Sequence, residues 1–353
     1  MEKRYRIVVV GCGFISHEWF DYLALRNDCE VVGLVDISTE NAEKIKEEYG
    51  LNAKIYTSLE PAIKENNANL TFDLTYVTNH TNVVIPAMEL GCDVFSEKPM
   101  AFKPEESALM LKTAEKCKKH YFILQNRRFN KYMRAMKAVI DSGVIGTPGF
   151  VCADIFTSGD LRSIRNKLGK PMMMDNAVHT FDQARFLTGM DATSVVAESL
   201  NPEGSIYTGD AAGVCVFRMG TNTVFDYRCW LGVEGCHTSW ESEWRIIGSK
   251  GTLIWDGYEN IYYEIPDYDY IAGKGNPFID RKYKRVVPEL DWNGLYSHKG
   301  SIDEMFTALE EGRDAETDCK DNIKSMMMVF AALESSETGQ RIIMDDYINK
   351  YMN

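Results

Sequence analysis

The sequence predicts an α/β protein in two parts: an N-terminal doubly wound parallel sheet, and a C-terminal α+β domain with a large, open, predominantly antiparallel sheet. Three observations predict it. Short apolar runs alternate with helix-length segments as far as Leu124, the pattern of successive parallel β-α-β units. From Gly149 the texture changes to longer β runs with period-two alternation, the pattern of a sheet packed on one face. A chain of 353 residues also exceeds what one hydrophobic core serves well. The expected domains are 1–124 and 125–353.

The first unit is the most informative. Ile7–Val10 reads as a buried strand that breaks into Gly11-Cys12-Gly13-Phe14-Ile15-Ser16, with a helix-length segment behind it. A second apolar run, Val31–Val35, ends on Asp36. A glycine turn after one strand and an acid after the next, roughly 20 residues on, form a dinucleotide-binding (Rossmann) unit. Gly11 permits the tight turn. Gly13 lets the backbone approach a pyrophosphate, and the following helix N-terminus, from Phe14 and Ile15 on, presents unpaired N–H groups to it. Ser16 replaces the third glycine but is small enough for helix–strand packing. Asp36 is placed to accept hydrogen bonds from both ribose hydroxyls and would repel a 2′-phosphate. Ile37 and Ser38 supply no arginine to hold one, so NAD is favoured over NADP.

In order, Ser38-Thr39-Glu40 opens a helix that Gly50 stops, and Tyr56–Glu60 leads from a strand end into a helix near Pro61. Phe72–Val77 reads as a buried strand, Thr78–Asn82 as a polar turn, Val83–Leu90 as a helix ended by Gly91. Asp93–Ser96 is a strand terminating in Glu97-Lys98-Pro99. Ligands of such sheets gather at the carboxyl ends of the strands, so Thr78, Asn79, His80, Glu97 and Lys98 are expected to share a rim with the glycine loop.

Bulk properties exclude several classes. A net charge of −13 repels phosphates, which argues against nucleic acid or anionic membrane as partner. No stretch approaches the roughly 18 apolar residues of a membrane span, and the basic start with only four consecutive apolar residues suits a first strand better than a secretion signal. Nine cysteines without a CxxC pair suit reduced thiols in the cytoplasm and no metal site.

With strand-Glu97-Lys98-Pro99 following an N-terminal glycine-loop unit, the chain resembles the Gfo/Idh/MocA family of NAD(P)-dependent oxidoreductases. Gln125–Phe129 (QNRRF) and Gly143–Pro148 (GVIGTP) resemble its crossover segment. Phe306, Glu311–Arg313, Ala332–Ser335 and Thr338–Gly339 resemble its closing helices. The resemblance implies a cis Lys98–Pro99 bond and a catalytic Lys98. One departure is the Thr78–His80 loop, shorter than the family's. His80 matches by its distance to Gly91 but not to the preceding strand, so it either lines the nicotinamide end or caps the helix.

In the second domain, candidate strands are Phe150–Phe156, Val195–Ser199, Val214–Met219, Val224–Leu231, Trp244–Ile247, Leu253–Trp255 and Ile261–Ile265. Helices over the packed face are expected from about Met172–Leu187, Lys299–Glu311 and Cys319–Thr338. The other face, bearing Trp230, is a candidate interface of a homo-oligomer, a dimer or tetramer.

Asp175 and His179 stand four apart, with Asp182 three further on, so on an α-helix they share a face. A carboxylate beside an imidazole suits proton transfer from an alcohol; the alternative is a helical ion pair facing solvent. The resemblance implies that Asp175 and His179 are catalytic and leaves Asp182 structural. Pro171 starts this helix where relatives place glycines, which proline tolerates at a first turn; Met172–Met174 are expected in the core. Arg128 is a candidate substrate-binding residue; Arg162 and Arg165, in the loop feeding the helix, either meet an acidic or phosphorylated substrate group or are solvated.

The resemblance thus implies hydride transfer between NAD and a secondary alcohol or ketone of a sugar, polyol or cyclitol. Two alternatives stay open: a redox-neutral, NAD-dependent glycoside-cleaving enzyme of the same fold, and a non-catalytic NAD or sugar sensor.

Overall fold

In the computed structural model, residues 4–158, 169–267 and 282–352 are described. The chain forms two units: residues 1–129, 294–326 and 351–353 make one, and residues 130–293 with 327–350 the other. The division therefore differs from a single cut at 124/125, because a C-terminal stretch joins the first unit.

The first unit is a six-stranded sheet of β1 (Tyr5–Val10), β2 (Cys29–Val35), β3 (Lys54–Tyr56), β4 (Leu70–Asp73), β5 (Asp93–Ser96) and β6 (Tyr121–Ile123), ordered β3-β2-β1-β4-β5-β6. Every pairing is parallel. Sequence order turns outward from β1 and again from β4, so a crevice opens at the carboxyl ends of those two strands. The glycine loop lies there, followed by helix α1 (Ser16–Leu23).

Two elements depart from the sequence reading. The strand expected over Phe72–Val77 is Leu70–Asp73. It stops because the Asp73 carboxylate accepts from both Thr75 N–H (3.1 Å) and Thr75 O–H (2.6 Å), turning the chain out of the ladder. The expected polar turn is already helical: a 3-10 turn at Val77–Asn79 runs into the helix His80–Glu89.

The helix Ser297–Glu311 is the larger departure. Its apolar face does not join the second sheet. Ile302, Met305 and Phe306 enter the core of the first unit, where the Phe306 ring lies 5.0 Å from Tyr5 and 5.2 Å from Phe95. Its amphipathic pattern records that one face is buried, not which core buries it.

Among the described residues the second unit holds nine strands: β7 (Pro148–Thr157), β8 (Ala192–Leu200), β9 (Ala212–Met219), β10 (Thr223–Leu231), β11 (Glu243–Gly248), β12 (Thr252–Trp255), β13 (Ile261–Pro266), β14 (Tyr283–Val286) and β15 (Ile342–Ile343), ordered β14-β13-β12-β11-β7-β10-β9-β8-β15. All pairings are antiparallel except β7 with β10. The seven expected strands are present with slightly wider bounds; β14 and the two-residue β15 were not foreseen. In β10 the alternation is kept: Phe225, Tyr227, Cys229 and Leu231 are buried, Arg228 is exposed. Helix Val178–Thr188 packs on the buried face, its Phe181 ring edge-on to Phe217, Phe225 and Tyr227 at 4.8, 5.9 and 5.2 Å.

Candidate active site

A cleft of about 650 Å³ opens at the carboxyl edge of the parallel sheet, lined by residues including Gly11, Gly13, Asp36, Ser38, Thr75, Tyr76 and Asn79. Backbone geometry explains both glycines. Gly11 has φ +95°, and a Cβ there would lie 2.7 Å from the Leu74 carbonyl oxygen, so only glycine fits the turn. A Cβ on Gly13 would meet no protein atom within 4 Å. Nothing in the protein requires that glycine; the open space beside it would admit a pyrophosphate. Ser16 is fully buried and donates its hydroxyl to the Gly13 carbonyl at 2.7 Å, closing the first helical turn.

Asp36 closes the far end. Its two carboxylate oxygens accept from Cys12 N–H and Ser38 N–H, each at 2.7 Å. A carboxylate oxygen has a second lone pair, so this bracing leaves acceptor capacity for a diol. Glycine loop, helix N-terminus and braced acid fit a dinucleotide.

The other expected rim residues are distributed differently. Asn79 lines the cleft, whereas Thr78 and Phe14 face solvent, and neither they nor Ile15 belong to its lining. His80 is wholly buried, with Nε2 3.2 Å from the Thr75 carbonyl oxygen and Nδ1 3.4 Å from that of Met100. Its ring is directed into the protein at the start of its own helix. Glu97 is also buried, accepting the Trp19 indole N–H at 2.7 Å and the Lys98 N–H at 3.3 Å. Its carboxylate supports the fold beneath the rim. Lys98 is half-buried, and its bond to Pro99 is cis. Tyr76, Asn41, Thr57 and Ser58 also line the cleft and were missed. Their contribution depends on three loops meeting, which no local motif records.

Arg128 departs from its expected role. It is buried, donating to the Glu316 carbonyl oxygen at 2.8 Å and to the Asp321 carboxylate at 2.9 Å, so it ties the loop after β6 to the C-terminal stretch of its own unit. Arg162 and Arg165 lie outside the described residues.

In the second unit, Pro171 leads into one turn of π-helix, Met172–Ala177, which passes into the α-helix Val178–Thr188. The four-residue spacing of Asp175 and His179 thus crosses a wider winding than the α-helix assumed for it; such π turns are frequent at functional sites. Asp175 is half-buried, and His179 and Asp182 are buried. Met172, Met173 and Met174 are buried too. Met172 lies against Gly213, where a Cβ would come within 2.6 Å of its Cε, and the Met173 sulfur is 3.7 Å from the Cys215 thiol. The methionines fill the core.

All nine cysteines are free thiols. One trio, His120, Asp314 and Asp318, brings potential ligand atoms within 4.8 Å of one another. Both acids are engaged by Lys320, Asp314 through its ammonium and Asp318 through its N–H, each at 2.9 Å.

The fold and this cleft define a class, an NAD-binding oxidoreductase of two units. Residues 5–125 match the oxidoreductase family with an NAD-binding Rossmann fold, and residues 133–254 match the GFO/IDH/MocA C-terminal domain. The chain belongs to the Gfo/Idh/MocA oxidoreductase family. It is 23% identical to a D-apiose dehydrogenase of Paraburkholderia graminis over 96% of this chain and 90% of that one. It is 26% identical to a myo-inositol 2-dehydrogenase of Thermotoga maritima over 71% and 75%. The fold superposes on an oxidoreductase from Agrobacterium radiobacter, crystallised with NAD+, L-tartaric acid and magnesium, with TM-score 0.81, 18% identity and coverage of 98% and 99%. No helix among the described residues is long and apolar enough to cross a membrane.

Proposed function

We propose that this enzyme oxidises a secondary alcohol of a sugar, polyol or cyclitol, or reduces the matching ketone, with Lys98, Asp175 and His179 as its catalytic residues. The observation that carries the reading is the cleft in which a Cβ on Gly13 would meet no protein atom and Asp36 is braced by two backbone N–H groups. NAD, when bound, supplies the hydride acceptor or donor. The chain's own residues handle the oxygen. The His179 imidazole takes the hydroxyl proton as general base. The Lys98 ammonium donates to the same oxygen and stabilises its developing negative charge. The Asp175 carboxylate accepts from a neighbouring hydroxyl and steadies the imidazolium. The named activities of the apiose and inositol dehydrogenases support this substrate class.

Two further readings accompany it. The outer face of the second sheet exposes Phe150, Val216 and Ile247 around the Arg228–Asp154 ion pair, which supports a homo-oligomer formed through that face. Nine free thiols support a reducing, cytoplasmic setting.

The test is a panel of polyols, cyclitols and aldoses offered with NAD and with NADP, read by absorbance of the reduced nicotinamide. The reading expects NADH formation with at least one cyclic polyol or sugar, and a preference for NAD. Products that appear without net NADH, from enzyme purified with its cofactor bound, would select the redox-neutral alternative.

A further inference from the structure

We propose that Asp73 and His80 form a buried clamp that holds Thr75 at the cofactor cleft and couples it to the turn carrying Lys98. The coupling half rests on the catalytic role proposed for Lys98; the clamp itself rests on geometry.

Thr75 lines the cleft and is gripped from both sides. Its N–H and hydroxyl donate to Asp73 Oδ1 at 3.1 and 2.6 Å, and its carbonyl oxygen lies 3.2 Å from His80 Nε2. The opposite ring nitrogen, Nδ1, lies 3.4 Å from the carbonyl oxygen of Met100, two residues beyond Lys98. A neutral imidazole carries one N–H, so the ring donates to one of these carbonyls and packs its other edge against the second; one rigid ring therefore spans two segments that belong to different strand ends. Asp73 is the last residue of β4, and His80 is the first residue of the helix His80–Glu89.

The environment gives these contacts weight. Asp73 and His80 are both fully buried, where a polar contact weighs more than on the surface; Asp73 Oδ1 takes both Thr75 bonds, and Oδ2 has no hydrogen-bond partner among the described residues. Burial raises the Asp73 carboxyl above the usual carboxylate range, opposed by His80 and then by the two bonds from Thr75. The neighbouring backbone is equally constrained. Leu74 N–H donates to the Val10 carbonyl at 2.8 Å, and the Leu74 carbonyl is the group that a Cβ on Gly11 would strike. Thr75 thus cannot shift without disturbing the glycine turn. His80 is a positioning residue: it acts on cofactor and substrate only through Thr75 and the Lys98–Met100 turn.

The test compares the full chain with His80→Ala and His80→Gln by backbone hydrogen exchange, with and without NAD, and by calorimetric NAD titration. In His80→Ala, peptides covering 73–77 and 99–103 are both expected to exchange about tenfold faster, with NAD affinity falling about tenfold, the loss of one good buried hydrogen bond. NAD should slow exchange across 99–103 in the unaltered chain and not in His80→Ala. The amide of His80→Gln can donate to one carbonyl and should restore protection to one segment at most. Should the alanine variant not fold, the glutamine variant decides, and wild-type exchange in both segments would overturn the clamp. Faster exchange confined to the helix, with NAD affinity unchanged, would also overturn it. An unaltered chain that fails to bind NAD would overturn the cofactor assignment instead, and exchange without NAD would still decide on the clamp.

Discussion

The Trp19 indole N–H donates to the Glu97 carboxylate at 2.7 Å, both side chains buried, joining the helix behind the glycine loop to the end of β5. This bond links the helix behind the glycine turn to Glu97, the residue preceding Lys98. Glu97→Ala leaves the indole donor buried without its acceptor, a cost of about 1–3 kcal/mol. Thermal unfolding should show that loss, and Glu97→Gln, which keeps an acceptor oxygen, should recover most of it.

Gly11 is the backbone counterpart of that constraint. Gly11→Ala places a methyl 2.7 Å from the Leu74 carbonyl at a positive φ, a conformation costing a non-glycine residue about 1–3 kcal/mol. The variant should lose both stability and NAD affinity. Gly13→Ala meets no protein atom and should keep wild-type stability while losing NAD affinity. Calorimetry of unfolding and of NAD binding separates the two.

Arg128 is expected to behave as a structural residue. Arg128→Ala removes the bonds to the Asp321 carboxylate and the Glu316 carbonyl, so the melting temperature should fall by several degrees. KM for the alcohol should stay within about twofold of wild type, because its guanidinium is occupied inside its own unit. A large rise in KM with no loss of stability would return Arg128 to substrate binding.

One pH effect has a definite sign. Hydrogen bonds from Arg26 lower the Asp28 carboxyl below its ordinary value of 3.8. A depressed carboxyl contributes stability above its unfolded pKa and loses it as pH falls through the folded one. Asp28→Asn should therefore cost about 1 kcal/mol at pH 7. The gap to wild type should close below about pH 4 in a urea-unfolding series.

Legibility in the sequence followed the physics of each signal. The parallel unit was readable because β-branched runs, a glycine turn and a closing acid are local, and seven of the antiparallel strands because one-sided burial leaves a period of two. The home of Ser297–Glu311 was not, since an amphipathic face names no partner. The contacts of His80 and Arg128 were not legible for a related reason. Their partners are the carbonyls of Thr75, Met100 and Glu316, and a carbonyl is carried by every residue. Glu97 met the indole of a residue far away in sequence, a pairing visible only after folding. The π turn at Met172–Ala177 likewise has no compositional mark beyond Pro171.

The central claim is that Lys98 acts on the reacting oxygen and not on the cofactor. Lys98→Met, assayed for turnover with its best alcohol and titrated with NAD in parallel, tests it most directly. Turnover is expected to fall by about a hundredfold or more, with NAD affinity within about twofold of wild type. Turnover and affinity falling by the same factor, or turnover unchanged, would contradict it.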